Sequence, residues 1–423
     1  MKNNKVIEFK DPEPVDMLTQ LIKRETKRLV AEALEAEVES FLSTLEEKLS
    51  DGRKRVVRNG YLPERAIMTG IGAVVAKVPR VRDQSDEDDK IRFQSSLIPP
   101  YMRRCATIDK VLPLLYLKGV SEADFVEVLT PIFGDSVKNL SPGVISRLKA
   151  SWEDEHHAWS KRSLKNKEYV YWWVDGIGFP ARGGDRHCVL VVLGVNTQGN
   201  KEFIALEDGF RESTESWLSL LRDLKARGLK APKLAIGDGA LGFWKAVTDV
   251  FPEAKHQRCW FHKMGNVIDK LPKSQQEKAK TMLKEIWMSA TREDAYKAFD
   301  AFITEYDAKY PKATECLMKD KEALLTFYDF PAEHWIHLRT TNPIESTFAT
   351  VRHRTYKVKG AFSNKTIVSM AFKLIQCAEK NWIKLRGFEH LDNVIKGVVF
   401  KNGKRVEEGD NFLTNKQQIQ EAA

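Results

Sequence analysis

The chain has 423 residues, 42% hydrophobic and 30% charged, with a formal net charge of +9. That length accommodates two or three domains, and the composition excludes a disordered or collagen-like chain. The positive balance favours a polyanionic partner. Cys105, Cys188, Cys259, Cys316 and Cys377 are odd in number and never form a Cys-x-x-Cys pair, which argues for a reducing cytosol over a disulfide framework. The start, MKNNKVIEFKDPEP, is polar, and no apolar run approaches the ~20 residues of a membrane span, so a cytoplasmic protein without a membrane partner is expected.

Residues 15–49 read as one long amphipathic helix, with Leu18, Leu21, Ile22, Leu29, Ala33 and Leu34 near helical spacing. A basic turn region, DGRKRVVRNGYLP, follows, and AIMTGIGAVVAKVPRVRD reads as a β-ribbon. Residues 84–90 form a solvated acidic loop. Thr107 to Leu117 is an apolar helix. In the next helix Ser121 and Asp124 resemble a capping box ahead of Phe125, Val128, Leu129, Ile132 and Phe133. SPGVISRLKASW begins a third, with Ser141 as cap and Pro142 at its first position. There Val144, Leu148 and Trp152 point inward, leaving Arg147 and Lys149 to face elsewhere. Two short helices with a tight connection and a basic second member suggest a helix-turn-helix; an ordinary helical bundle is the competing reading.

From Tyr169 the pattern changes to strands. YVYWWVD, HCVLVVLGVN and KEFIALEDGF are apolar runs, the last two joined by the hairpin signal TQGN. A helix (STESWLSLLRDLKARG), a short strand (PKLAIGD), a helix (ALGFWKAVTDVF) and a strand (AKHQRCWFH) complete the order β-β-β-α-β-α-β. This predicts a mixed α/β sheet whose ligand crevice lies at the carboxyl ends of its parallel strands. Residues 271–328 are helical throughout, and Lys365 to Trp382 is helical again. Between Arg339 and Arg386 there are ten Lys/Arg and two acids, a local charge of 10 − 2 = +8.

Asp175 and Asp238 each end a core strand and are followed by glycine, which lets a phosphate backbone approach. Two carboxylates at one sheet edge repel unless a cation lies between them. Oxygen ligands select Mg²⁺, with Mn²⁺ as the alternative. Glu345, in TTNPIES, is the candidate third ligand. Asn342 reads as its helix cap and Pro343 as the first residue, so a purely structural capping glutamate is the competing reading. Arg352 lies two turns further on the same side, and Arg354, Lys357 and Lys359 extend the basic surface. Three carboxylates with two Mg²⁺ ions make a phosphodiester-cleaving site. Cys259 and His262 have Cys-x-x-His spacing, but no second pair completes a zinc site, so they read as packing and hydrogen-bonding support beside the acids. Arg258, adjoining them, is a candidate DNA contact.

WWVDGIGF, AIGDGALGFWKAV, HQRCWFHKMGNV and RTTNPIESTFATVRHRT together resemble the bacterial branch of the Mutator-type DDE transposases, encoded by insertion sequences. RNGYLPERAIMTGIGAVVAKVPRVRD and SSLIPPYMRR extend the resemblance, which covers residues 15–390. It implies an RNase H-like catalytic fold interrupted by an all-helical insertion, with Asp175, Asp238 and Glu345 as the metal-binding triad. Cys259 and His262 match the family's Cys-x-x-His signature, and Arg352 its basic residue. The implied organisation is an N-terminal helix and β-ribbon for DNA binding or dimerisation (1–100), a helix-turn-helix domain (101–165) and the first part of the catalytic core (166–270). The helical insertion (271–335), the second part of the core (336–400) and a tail (401–423) follow. The implied activity is Mg²⁺-dependent cleavage and strand transfer of double-stranded DNA at terminal inverted repeats, by a homodimer or higher oligomer associated with the nucleoid. An inactive transposase-derived DNA-binding protein and an RNase H-like resolvase are the alternatives.

Overall fold

A computed structural model describes residues 17–86, 88–117, 120, 124–133, 137, 143–180, 186–209, 213–239, 241–345, 348–349, 351 and 364–406. The chain divides into two compact units, Met1–Leu148 and Lys149–Ala423.

In the first unit, α1 (Met17–Ser43) stops short of the expected residue 49. The hydroxyls of Ser43 and Thr44 donate to Ser40 O and Phe41 O, each at 2.7 Å, taking last-turn carbonyls from the helix. Only the C-terminal half of its apolar face is covered. Leu34 and Val38 are buried, and Leu34 packs with Ile67, Ala76, Val78 and Ile98. Leu18 and Leu29 are exposed. The ribbon is two antiparallel pairs, β1 (Val56–Tyr61) with β4 (Pro79–Asp83) and β2 (Arg65–Thr69) with β3 (Gly72–Ala76). Two helices follow, α2 (Ala106–Leu117) and α3 (Asp124–Phe133), and α4 (Gly143–Ser160) begins in this unit and continues into the second. α3 buries Phe125, Leu129 and Phe133, the four-residue spacing of one helical face. α4 runs for 18 residues, longer than the short helix expected there. Ser121, Ser141 and Pro142, the expected caps, lie outside the described residues.

The second unit is built on a mixed five-stranded sheet of order β7-β6-β5-β8-β9. β5 (Tyr169–Pro180) is central, antiparallel to β6 (Arg186–Asn196) and parallel to β8 (Leu234–Gly237). β7 (Lys201–Gly209) is antiparallel to β6, and β9 (Lys255–Arg258) is parallel to β8. The β6–β7 connection is the hairpin that TQGN signals, with Gly199 at φ 81°. On one face, Trp172 and Val174 pack with α5 (Thr214–Ala226) and α6 (Leu241–Val250) through Trp217, Leu221, Phe243 and Val247. Alternation sends Tyr171, Trp173 and Asp175 to the other face. There Tyr171 Oη lies 2.8 Å from His334 Nδ1, and Trp173 Nε1 donates to His337 O at 3.0 Å. Both tryptophans are fully buried, so neither reaches a substrate.

After β9 the chain is helical. α7 (Trp260–Ile268), α8 (Lys273–Met288), α9 (Arg292–Tyr306), α10 (Pro311–Met318) and α11 (Lys321–Leu325) lead through short 3₁₀ turns to α12 (Trp335–Leu338). The segment expected to be helical from residue 271 to 328 is helical, while β9 is shorter than AKHQRCWFH suggests: the strand ends at Arg258, and Cys259 is the N-cap of α7. The helix Asn364–Glu379 packs on β7, and a short helix, Leu391–Ile395, and a two-stranded hairpin, Phe400–Lys401 with Lys404–Arg405, come after it. Among the described residues, no helix is long and apolar enough to cross a membrane.

Candidate active site

The strand registers align the site. Tyr171 pairs with Leu234 and Trp173 with Ile236, an offset of 234 − 171 = 63. Asp175 and Asp238 are separated by the same 238 − 175 = 63, so continuing the register sets them side by side on one face. β8 and β9 are offset by 255 − 234 = 21, which brings Cys259 beside Asp238. Cys259 N donates to Gly237 O at 2.8 Å, extending the ladder by one bond. Asp175 is 8% exposed, and its Oδ1 accepts from Gly176 N at 2.8 Å. Asp175 lies within β5, which runs five residues past the strand end that the sequence suggested, to Pro180, while half-buried Asp238 directly follows the last residue of β8; two acids on neighbouring strands make this part of the sheet negative.

Glu345 arrives on a helical segment that opens at residue 342, with 342–345, 348–349 and 351 helical among the described residues. Thr341 O accepts from Glu345 N at 3.0 Å, so the cap is Thr341 and not the expected Asn342; the helix begins one residue earlier. Thr341 is fully buried. Its hydroxyl lies 3.0 Å from Glu345 Oε1, 3.3 Å from Cys259 Sγ and 3.4 Å from His262 Nδ1. One hydroxyl proton serves one acceptor, and the carboxylate is the strongest and nearest. Thr341 N also donates to Cys259 Sγ at 3.3 Å. His262 Nε2 approaches Glu345 Oε1 at 3.7 Å. Its hydrogen bond to Cys259 raises the imidazole from 6.5 to about 9 against the opposing effect of burial, and the Asp175 and Asp238 charges add to the rise. Sequence reasoning missed Thr341; its one signal is the four-residue spacing to Glu345, a single helical turn.

Among the described residues, the one group of three metal-ligating side chains with donor atoms within 4.8 Å of one another is Cys259, His262 and Glu345. Asp175 and Asp238 stand outside it. The aspartate pair offers hard carboxylate oxygens that suit Mg²⁺ or Mn²⁺. The potential of both carboxylates at His262 shows that their charges converge on this edge.

The chain matches the family described as "Transposase, Mutator family" over residues 2–384. It belongs to the Mutator family of transposases. The transposase for insertion sequence element IST2 of Acidithiobacillus ferrooxidans is 50% identical over 286 residues, 66% of this chain and 94% of that protein. The transposase for insertion sequence element IS6120 of Mycolicibacterium smegmatis is 50% identical over 301 residues, 71% of this chain and 93% of that protein. The solved "Drosophila P element transposase strand transfer complex" aligns with 68% of this chain and 84% of its own, at 10% identity and a TM-score of 0.27, too loosely to carry an argument.

The basic residues of this Mutator-family chain divide. Arg258, expected on DNA, is turned inward. Its Nη1 donates to Asp238 O at 2.6 Å, its Nη2 lies 3.4 Å from the Asp320 carboxylate, and the guanidinium stacks 4.6 Å from the Trp244 ring. A side chain 10% exposed and committed to three partners braces the Asp238 turn and is withdrawn from solvent. Asp320 also pairs with Lys263. The helical segment after β9 thereby holds the strand end that carries Asp238. Arg147 is exposed and Lys149 half-buried on α4. Arg352, Arg354, Lys357 and Lys359 lie outside the described residues.

Proposed function

We propose that the chain binds the terminal inverted repeats of an insertion sequence and catalyses cleavage and strand transfer of DNA, using an RNase H-like core. The observation that carries this reading is the register that sets Asp175 beside Asp238, with Glu345 delivered to the same edge by Thr341. Asp175, Asp238 and Glu345 would hold two Mg²⁺ ions, or Mn²⁺. When bound, these would polarise the scissile phosphate and lower the pKa of an attacking water or 3′-hydroxyl. The strand backbone fixes the two aspartates, and buried Thr341 orients Glu345 by donating to Oε1. His262 adds positive charge at the carboxylate edge. Arg352, Arg354, Lys357 and Lys359 supply phosphate contacts, and Arg147 and Lys149 face DNA from a helix-turn-helix. Joining two ends calls for at least a homodimer on DNA. The relatives' description as transposases for insertion sequence elements supports the same reading.

The test is incubation of the purified protein with labelled DNA spanning the ends of its element, with and without Mg²⁺. Strand nicking is expected to need the metal and to disappear in Asp175→Asn, Asp238→Asn and Glu345→Gln. Nicking that survives any one of these removes that residue from the triad, and nicking in excess chelator refutes metal catalysis. A second reading follows from the Cys259–His262–Glu345 trio: one thiophilic ion such as Zn²⁺ bound there. Stoichiometric zinc that is lost in Cys259→Ala would establish it. Metal-free protein that still nicks with Mg²⁺ would dismiss it.

A further inference from the structure

SLIPPYMRR, residues 96–104, was left unexplained by the catalytic reading. In the first unit it makes a β-turn closed by Met102 N donating to Pro99 O at 3.2 Å, with Pro100 and Tyr101 at its centre. Proline suits the first central position. The second requires positive φ, where glycine or asparagine is usual. Tyr101 occupies it at φ 65°. Its ring is 93% exposed, so no packing within the chain offsets the strained backbone. A strained, solvent-facing aromatic residue points to a ligand.

The surroundings indicate which ligand. Tyr101, Phe93, Leu62 and Ile98 line a cavity of about 480 Å³, with Arg65 and Arg103 on its wall. Arg65 Nη2 donates to Ile98 O at 3.0 Å and to Pro99 O at 2.9 Å, which fixes the turn and keeps a cation beside it. Glu37 accepts from the Ser95 hydroxyl and from both Ser96 N and its hydroxyl, pinning the segment leading into the turn to α1.

An apolar slot with Phe93 in its lining, Tyr101 standing exposed at its mouth and two arginines beside it matches a flat aromatic ring carrying an anion. We propose that it takes one unpaired DNA nucleotide, with the base stacked on Tyr101 and its phosphate at Arg65 and Arg103. This rests on the reading that the chain acts on DNA. A base within a duplex hides both faces in the stack, so the pocket recognises a base only when it is single-stranded or extruded. The site therefore distinguishes opened DNA from closed duplex, a property the catalytic residues do not supply.

The test uses the full-length protein, fluorescence anisotropy at fixed salt, and two probes: a blunt duplex and the same duplex with a short single-stranded thymidine tail. The wild type is expected to prefer the tailed probe. Tyr101→Gly should lose roughly ten-fold on that probe, the scale of one lost base–aromatic stack, and nothing on the blunt duplex. Its melting temperature should not fall, because glycine accepts this φ without strain. Tyr101→Phe should retain the preference. Equal loss on both probes, or a preference kept in Tyr101→Gly, overturns the proposal. So does displacement of the tailed probe by an equal concentration of free thymidine monophosphate, which would mark a mononucleotide site. Wild-type binding to neither probe overturns the DNA reading as well, whereas equal binding to both overturns only the pocket.

Discussion

Asp320 is the single carboxylate shared by two largely buried cations. Its side chain is 11% exposed, against 10% for Arg258 and 8% for Lys263. Replacing it with alanine strands both positive charges where water cannot restore their solvation. Breaking a buried ion pair in this way costs about 3–5 kcal/mol. For a unit as large as Lys149–Ala423, each kcal/mol moves the melting temperature by roughly 2–4 °C, so Asp320→Ala should melt some ~6–20 °C lower. Scanning calorimetry, with urea unfolding followed by circular dichroism, measures this. High salt should not reproduce the loss in the wild type, because a pair withdrawn from solvent is weakly screened. Asp320→Leu combined with Lys263→Met, which removes one charge of each sign, should regain part of the stability. A loss of about 1 kcal/mol or less for Asp320→Ala is the range of an exposed pair and would refute the reasoning.

Two further outcomes are expected. Thr341→Val removes a buried hydroxyl without changing shape, so the loss of one hydrogen bond to a charged group should slow strand nicking roughly ten- to hundred-fold, with Thr341→Ser restoring it. Wild-type rates in Thr341→Val would show that the hydroxyl does not orient Glu345. The second concerns His337, which burial, aided by nearby Lys201, His334 and Arg386, depresses from 6.5 to about 4; its Nε2 accepts from Arg386 N at 3.2 Å. The unfolded chain binds this proton at higher pH than the folded one. The stability contribution is therefore complete above pH 6.5 and declines as the pH falls towards 4. Urea midpoints on either side of that window should differ less in His337→Gln than in the wild type; parallel slopes would assign the acid sensitivity elsewhere.

The alignment of the two candidate acids was legible because the equality of residue spacing and strand register sets Asp175 beside Asp238, although only β8 stops at its acid and β5 runs on to Pro180. Cys259 and His262 were found for the right spacing but on the wrong element. Three residues apart fits a helix turn as well as a strand end, and β9 is only four residues long. Arg258 shows what a sequence cannot carry. Its basicity and position suggested DNA, while the partner that buries it, Asp320, comes 320 − 258 = 62 residues later in a helical segment with its own local pattern. The apolar stripe of α1 likewise marks a face without saying how much of it is covered: Leu34 is buried and Leu18 is 66% exposed.

The ladder that aligns Asp175, Asp238 and Cys259 has a consequence for the order of events on the ribosome. Thr341 and Glu345 follow Cys259 by more than eighty residues (341 − 259 = 82), and all the helices from α7 to α12 intervene. A nascent chain that has released β5, β8 and β9 can assemble the sheet and the two aspartates. It cannot hold Glu345, because the residue that orients it has not been made. Premature termination anywhere in that helical segment therefore yields a chain with the paired aspartates and without Thr341 and Glu345. If Glu345 belongs to the site as proposed, full-length synthesis is a condition of activity.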